Sequence, residues 1–472
     1  MEGKNFQRIL LMRMRSQLIG EVKHPHHVYP PLLLKYIEAL IRQAGGYDVQ
    51  VIDTWLSTHP QAELVQQAKA YAPDVAILMA NPVDSQTTFD FGREIKQQNQ
   101  CFLVAVGQEV SSNIDHFLSP TSPFDVALPG EAEVEILSLL HTLNAKGAEA
   151  AKAKYHPSNG LPPFVINDLD KLPFPTYTKA EIESYCFSAY PLRMQKNAKW
   201  GFILSSRGCP YNCYFCSPVM RKTSGAKMRL RTAANVVDEI EHLMAAGVNV
   251  ISFEDDDLTA KKEYLRALCQ EIRRRRLDVN WICHSRVDEL EPALMQEMRD
   301  AGCILLRIGV ESASERILQM FHKNPRGKDW HKTCKTIFSE ARRLGIATNA
   351  LVIIGSPEET QAEAEATINF VAELNPDMVQ VHFFTLYPGS PAYEDYKDRI
   401  PPEQVAKMHH YNLPLVNLSR LTPEELWKLR SKFYKRFFLR ATFVFQHLYH
   451  YSLFYLFNPK VFRQLSHVAG IL

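Results

Sequence analysis

Three cysteines lie within ten residues near the middle of the chain, in the segment RGCPYNCYFC. Cys209, Cys213 and Cys216 have the spacing C-x3-C-x2-C, and Phe215 directly precedes the last of them. Thiolates at this density in one loop are typical ligands of zinc or of an iron–sulfur cluster. The spacing therefore predicts a metal centre rather than three unrelated structural cysteines.

The number of thiolates leaves two kinds of centre open. A structural zinc site needs a fourth cysteine or histidine, which Cys283 or His284 could provide from far along the chain. A 4Fe–4S cluster has four irons, so three thiolates leave one iron open to a ligand from outside the protein.

Further polar residues stand where short apolar runs end. From Trp200 onward, six such runs alternate with helical patterns: GFILSS, VNVISFE, VNWICHS, ILLRIGVE, ATNALVIIG and DMVQVHFF. Six βα units predict a partial barrel, whose active site lies at the carboxyl ends of its strands. The polar residues fall at those ends: Ser205, Ser206, Glu254–Asp257, His284–Arg286, Glu311 and Gly355.

A different alternation fills the first part of the chain. Apolar runs such as RILLMRM, DVQVID, DVAILMA, CFLVAVG and DVALPG alternate with helical patterns. Continuous apolar strands separated by helices predict a doubly wound parallel sheet, which binds ligands at its carboxyl edge. We expect an α/β domain at 1–142, a proline-rich linker at 143–199, the barrel at 200–400 and a helical region at 401–472.

Composition excludes several classes. The chain has 472 residues, 46% hydrophobic and 22% charged, with a net charge of +2, so neither nucleic acid nor a membrane is indicated electrostatically. The N-terminus lacks a signal-peptide pattern, and no run of eighteen apolar residues predicts a transmembrane helix. We expect a cytoplasmic protein, where clustered cysteines are metal ligands rather than disulfides.

The cysteine loop resembles that of the radical S-adenosylmethionine (SAM) superfamily, C-x3-C-x-aromatic-C. The resemblance implies that Cys209, Cys213 and Cys216 hold a 4Fe–4S cluster whose fourth iron is chelated by SAM. It also implies reductive cleavage of SAM to methionine and a 5′-deoxyadenosyl radical, with the protein orienting the cofactors. An electron donor such as flavodoxin or ferredoxin is the expected partner.

Other positions resemble the SAM contacts of this superfamily. Phe215 belongs to the cysteine loop, and Asp255 and Asp256 resemble the acidic turn that approaches the SAM ammonium group. The remaining predicted contacts, with the carboxylate, ribose and adenine of SAM, are Arg286, Glu311, Ser312 and Gly355. Taken singly, an Asp triplet is commonly a solvated turn, Arg286 an ion-pair partner and Glu311 a structural acceptor.

The first domain resembles the cobalamin-binding domain that precedes the barrel in one large subgroup. Its predicted cobalamin contacts are Pro31, Gly107, Gln108, Gly130 and Glu131. The histidine motif D-x-H-x-x-G, which supplies a lower axial base in many cobalamin domains, is absent, and His24, His26 and His27 lack its spacing. The axial ligand is therefore open, and a domain that has lost cobalamin is the alternative.

The C-terminal region is rich in aromatic and basic residues. Residues 426–457 could form an interfacial helix that admits apolar substrates and contacts a membrane peripherally. We favour helices that close the barrel, with the stems of lysine and arginine lying over apolar surface. Stacked aromatic and basic residues also suit single-stranded nucleic acid, but no other feature supports a nucleic-acid partner.

The resemblance implies a cobalamin-dependent radical SAM methyltransferase acting on an unactivated carbon of a small metabolite, a tetrapyrrole or a lipid intermediate. Oxidative cyclisation, rearrangement or C–C bond formation would use the same cofactors. A sensor or electron carrier that binds the cluster and cobalamin without turnover is the alternative from another class. No residue is assigned to the catalytic step, and the substrate and oligomeric state are not predicted.

Overall fold

The computed structural model describes residues 5–15, 27–56, 61–82, 84–156, 164–187, 198–216, 227–323, 327, 329–401 and 413–440. His24 and His26, parts of the linker, and residues 402–412 and 441–472 of the C-terminal region lie outside the described residues. The architecture is α/β, with two parallel sheets, as the sequence predicts.

The N-terminal sheet has five parallel strands in the order β3-β1-β4-β5-β6. Its strands are β1 (Arg8–Arg13), β3 (Asp48–Asp53), β4 (Val75–Met79), β5 (Phe102–Val106) and β6 (Val126–Leu128), while β2 (His27–Val28) lies outside this sheet. The strand order reverses between β1 and β4, so their carboxyl ends flank the switch point where ligands bind.

Helices cover both faces of this sheet. They are α1 (Leu32–Ala44), α2 (Gln61–Tyr71), α3 (Ser85–Asn99), α4 (Gln108–Ser112), α5 (Ile114–Phe117) and α6 (Glu133–Lys154). Alternate residues of β1 enter two separate cores, Ile9 and Leu11 on one face and Leu10 and Met12 on the other. This two-sided burial explains why the strands are continuously apolar rather than alternating.

The second sheet has six parallel strands in the order β15-β14-β13-β12-β11-β8. They are β8 (Trp200–Ile203), β11 (Val250–Phe253), β12 (Asn280–Arg286), β13 (Cys303–Glu311), β14 (Ala347–Ile354) and β15 (Met378–Phe383). Among the described residues β8 and β15 do not pair with each other, so the barrel is partial. The six runs predicted from the sequence all form strands in this sheet.

Helices pack on the convex face of the barrel. They are α8 (Ala233–Ala245), α9 (Lys262–Arg274), α10 (Pro292–Asp300), α11 (Glu315–Met320), α12 (Trp330–Leu344) and α13 (Gln361–Leu374), whereas the short α14 (Pro391–Tyr396) contacts the segment of the three cysteines. Trp281, Cys283, Leu306 and Ile308 belong to the core beneath these helices. Because strand side chains alternate, His284 and Arg307 face the barrel interior instead.

Residues between the two sheets form short elements. Helix α7 (Lys179–Ser184) is followed by β7 (Cys186–Phe187), which pairs with β2, and β9 (Ser206–Arg207) pairs with β10 (Arg229–Leu230). Helix α6 continues past residue 142 to Lys154, with a kink at Gly147, where φ is 79°. The domain boundary predicted at 142 thus falls within a helix.

The described part of the C-terminal region packs on the barrel. Helix α15 (Pro423–Phe438) places Leu426, Leu429 and Phe433 in the outer barrel core. The Tyr434 hydroxyl accepts a hydrogen bond of 3.2 Å from the backbone N–H of Val381. No helix of the described residues has the length and apolar character needed to cross a membrane.

Candidate functional site

The cysteine loop leaves the barrel directly after β9, through Gly208 with a φ of 89°. Two backbone hydrogen bonds hold Tyr214 in this loop, to the carbonyl of Phe321 at 3.3 Å and from the N–H of Ala392 at 3.1 Å. The ring of Phe215 packs edge-on against Phe321, with 4.8 Å between centroids. The loop is thereby tied both to the end of α11 and to the start of α14.

The three thiols lie within electrostatic range of one another. Cys209 and Cys213 are partly exposed and Cys216 is exposed. Burial, together with the nearby charges of Asp256 and Asp257, raises the pKa of Cys209 to about 12. Only the thiolate binds metal, so this site requires a strong positive charge to ionise. An iron–sulfur core supplies such a charge, and the donor set fits it.

A site for a single metal ion needs several ligands that converge on one point. Within the described ranges, no group of three histidine, cysteine or acidic side chains converges closely enough to hold one metal ion. Thiolates of a 4Fe–4S cluster bind different irons and need not converge on one point. The arrangement therefore gives no support to the zinc alternative with Cys283 or His284, whose side chains belong to β12.

The acidic turn after β11 divides into residues with different environments. Asp255 is buried and accepts hydrogen bonds from the Ser205 N–H at 3.1 Å, from the Ser205 hydroxyl at 2.8 Å, and from the Ser206 hydroxyl. Its carboxylate is thus committed to joining β11 to β8. The predicted role of Asp255 at the SAM ammonium group is not tested by these contacts.

Asp256 and Asp257 are the less satisfied members of the turn. The Oδ2 atom of each is buried and has no hydrogen-bond partner among the described residues. Burial and the neighbouring Asp255 and Asp257 raise the pKa of Asp256 to about 7. A buried acceptor without a donor is costly, so these atoms suit a cationic or hydrogen-bond-donating ligand.

Arg286, at the end of β12, lies against the cysteine loop. Its Nη1 atom is 3.5 Å from the Sγ atom of Cys213, and its guanidinium carbon is 3.9 Å from the centroid of the Tyr211 ring. Its Nε and Nη2 atoms donate to the two carboxylate oxygens of Asp288, each at 3.0 Å. The structure thus brings Arg286 to the cysteines, with one edge already used.

Glu311 and Ser312 end β13 on the same side of the barrel. Glu311 has an unusual positive φ of 63° and forms a buried ion pair with Lys323, with 2.9 Å between Oε1 and Nζ. Ser312 is buried and its hydroxyl lies 3.2 Å from that of Thr367. Backbone strain of this kind costs ~1–3 kcal/mol and is concentrated at functional sites.

Gly355 ends β14 with a φ of 82°. Its N–H donates to Oε2 of the buried Glu359 at 2.5 Å, and burial raises the pKa of Glu359 to about 7. A Cβ atom at Gly355 would lie 3.5 Å from Leu426 of α15, which is ordinary contact. The positive φ, rather than crowding, is therefore what favours glycine here.

A cavity of about 460 Å³ lies between the two sheets. It is within the range of ~300–1,000 Å³ that is usual for small-molecule sites. All five predicted cobalamin contacts line it: Pro31, Gly107, Gln108, Gly130 and Glu131. Its other side is formed by the barrel, through Leu204, Ser206, Arg207 and Asp256.

Backbone shape defines the N-terminal wall of this cavity. Gly107 has a φ of 112°, and a Cβ atom there would lie 2.6 Å from the carbonyl oxygen of Ala80. Arg13, Met79 and Asn81 stand beside it at the carboxyl ends of β1 and β4. Among the described residues, no histidine lines the cavity.

Two arginines of the barrel bind the acidic edge of this wall; we call this group, formed by Glu131, Glu133, Arg207 and Arg229, the arginine clamp. Arg229 donates to both carboxylate oxygens of Glu131, at 2.6 and 2.8 Å. Arg207, two residues before the first cysteine of the loop, donates to Glu133 at 2.7 Å. Although burial alone would raise it, these arginines lower the pKa of Glu131.

Sequence reasoning missed two groups. The arginine clamp cannot be predicted from local sequence patterns because its charged residues come from distant segments of the chain. Arg307 and Asn349, which form a polar layer inside the barrel, were also missed. Arg307 is the register partner of Asn349 and of His284, which was named at a strand end, and it forms a 3.3 Å ion pair with Glu254. Charged or polar residues within otherwise apolar strands, as in ILLRIGVE, were the available signal.

Comparison with known proteins relates the barrel to a described protein family. Residues 203–371 match the family described as the radical SAM superfamily. A curated relative from Pyrococcus horikoshii, named an uncharacterized methyltransferase, is 27% identical over 90% of this chain and 91% of its own. Anaerobic magnesium-protoporphyrin IX monomethyl ester cyclase from Rubrivivax gelatinosus is 24% identical over 88% of this chain and 75% of its own.

A solved structure shares the fold of both halves. It is the radical S-adenosylmethionine methyltransferase TsrM from Kitasatospora setae, determined with cobalamin and a 4Fe–4S cluster bound. The two structures superpose with a TM-score of 0.63 at 16% identity, over 83% of this chain and 75% of that one. At this identity the likeness establishes the arrangement of the sheets and not the ligands.

Proposed function

We propose that this chain, whose residues 203–371 match the radical SAM superfamily, is an enzyme that transfers a methyl group to an unactivated carbon of a small molecule, with cobalamin, SAM and a 4Fe–4S cluster as cofactors. The observation that carries the proposal is the shared border of two sites. Ser206 and Arg207 line the cavity between the sheets and directly precede the cysteine loop. Asp256 faces the same border.

In this proposal Cys209, Cys213 and Cys216 ligate the cluster, and the unpartnered oxygens of Asp256 and Asp257 receive the SAM ammonium group. The cofactors supply the radical that removes a substrate hydrogen and the methyl group that replaces it. The chain's own residues bind and orient: Phe215 and its partner Phe321 form an apolar wall, and the barrel keeps water from the reacting carbon.

The cavity between the sheets is proposed to bind cobalamin, with the positive φ of Gly107 and Gly130 allowing close backbone approach. The substrate is proposed to lie in the barrel interior, above the polar layer of His284, Arg307 and Asn349. Burial and the charge of Arg307 hold the pKa of His284 well below its ordinary value. His284 is therefore neutral and can donate or accept a hydrogen bond.

The second candidate is oxidative cyclisation, which is favoured by the named activity of the Rubrivivax gelatinosus relative. A cytoplasmic location, a reducing partner of the flavodoxin or ferredoxin kind, and peripheral membrane contact through the C-terminal region belong to the proposal as well. The exposed Trp427 and Leu439 of the described C-terminal residues are compatible with the last of these.

The test is an anaerobic reaction of the reconstituted full chain with hydroxocobalamin, a chemical reductant and SAM carrying a trideuterated methyl group. Methyl transfer predicts both 5′-deoxyadenosine and S-adenosylhomocysteine, and deuterium in cobalamin. Deoxyadenosine without S-adenosylhomocysteine would favour cyclisation or rearrangement. Neither product, in wild type and in the Cys213→Ala control alike, would leave only a binding protein.

A further inference from the structure

The guanidinium of Arg286 is fixed on three sides. Its Nε and Nη2 atoms donate to Asp288 in a bidentate pair, and Nη2 also donates to the carbonyl oxygen of Lys323 at 2.7 Å. The ring of Tyr211 covers one face, and the Tyr211 hydroxyl donates to Glu289. Only 5% of the Arg286 side chain is exposed, so this orientation is held by packing as well as by charge.

The remaining end of the guanidinium points at the metal ligands. Nη1 lies 3.5 Å from Sγ of Cys213, which is the distance of a hydrogen bond to sulfur. The edge formed by Nε and Nη2 is committed to Asp288, so Arg286 cannot also grip the carboxylate of SAM through that edge. The geometry therefore favours the cysteine sulfur, and not a ligand carboxylate, as the partner of this end.

We infer that Arg286 is a positioning residue that donates a hydrogen bond to the Cys213 sulfur and thereby raises the reduction potential of the cluster; this rests on the cluster proposed above. Hydrogen bonds to the sulfurs are among the features that set the potential of iron–sulfur clusters. Reduction adds negative charge to the sulfurs, so a fixed N–H donor stabilises the reduced state more than the oxidised state.

The change in reduction potential depends on the hydrogen bond from Arg286 to Cys213 rather than on net charge. Asp288 neutralises Arg286, and Glu311 neutralises the neighbouring Lys323 at 2.9 Å, so the long-range field of both cations is small. A lysine at position 286 would keep the charge but lacks the planar fork that binds Asp288 and Cys213 together. Arg286→Lys should therefore behave more like Arg286→Gln than like the wild type.

The experiment is a redox titration of the reconstituted full chain without SAM, followed by electron paramagnetic resonance. Arg286→Gln is expected to lower the equilibrium constant for cluster reduction about tenfold, which is ~59 mV for a one-electron couple. Asp288→Asn removes the carboxylate that neutralises Arg286, so the uncompensated cation beside the cluster should shift the constant in the opposite direction. Arg266→Gln, which removes a surface cation paired with Glu291 and Glu297, is the control and should leave the potential unchanged.

Unchanged potentials in Arg286→Gln and Arg286→Lys, with full iron content, would overturn the inference. Weaker SAM binding with an unchanged potential would assign Arg286 to SAM instead. If Arg286→Gln takes up no iron, the potentials of Arg286→Lys and Asp288→Asn decide. A wild type that holds no cluster would refute the proposed function itself, which is a distinguishable result.

Discussion

The two sheets of this chain present their candidate sites to one another, but they build them differently. The barrel site consists of side chains with definite chemistry, three thiols and a turn of aspartates. In the N-terminal site, the glycine turns at Gly107 and Gly130 line a cavity together with side chains that have no distinctive spacing, such as Pro31, Met79 and Asn81. A site can therefore be recognised in the sequence when it is built from side chains of distinctive chemistry and spacing. It is harder to recognise when backbone turns build it.

The largest effect should come from the barrel side of this comparison. Cys213→Ala is expected to abolish cluster assembly, because two thiolates cannot anchor what three hold. Iron and sulfide content and the brown absorbance of the reconstituted protein measure the result, and SAM cleavage should be lost with them. Cys334→Ala, at a buried position in α12, is the matched control and should retain full iron. Equal iron in both variants would refute the ligand assignment.

The cysteine loop and the six barrel strands could be predicted because their signals are local. Each strand is marked by an apolar run of about five residues, and the loop has its three cysteines within ten residues. Arg286 and Asp255 were also singled out as polar residues at strand ends, but the contacts they make in the structure were not predicted. Contacts such as Arg286 with Cys213 or Asp255 with Ser205 join residues 50 or more positions apart, and no local pattern encodes them.

The arginine clamp is a second example of long-range contacts that a local sequence pattern does not predict. Glu131 was predicted as a cobalamin contact because it follows a glycine turn at a strand end. In the structure its carboxylate is bound by Arg229, 98 residues away, and by the N–H of Ile166. The turn lies on the cavity between the sheets, while the charge of Glu131 serves to join the two sheets.

The clamp offers the second-largest effect, since it couples the two regions. Arg229→Met should lower the free energy of unfolding by about 3 kcal/mol, because it leaves the buried Glu131 without its main cation. Because the pKa of Glu131 is lower in the folded state than in the unfolded state, the clamp stabilises the fold at pH values above the unfolded-state pKa. This stabilisation is lost as the pH falls through the folded-state pKa. Denaturant unfolding at pH 7 and at acid pH should therefore show a difference from wild type that shrinks toward acid.

Lys171→Met removes an exposed cation, paired with Asp168 at 3.6 Å, as a control for the loss of charge alone. It should leave the unfolding free energy within ~0.5 kcal/mol of wild type, as is usual for surface changes. A difference for Arg229→Met that stays constant with pH would show that the clamp acts by packing and not by charge.

The smallest effect, and the sharpest for the cavity, is expected at Gly107. Gly107→Ala places a Cβ atom 2.6 Å from the Ala80 carbonyl at a φ of 112°, so the wall must shift at its contact with the ligand. We expect a loss of ~1–3 kcal/mol of stability and a fall in cobalamin retained through gel filtration. Gly147→Ala shares the positive φ, 79°, but meets no atom within 4 Å, so it should lose stability and keep cobalamin. Equal retention by the two variants would mean that backbone approach at Gly107 does not shape the site, and that the N-terminal sheet depends on side chains as much as the barrel does.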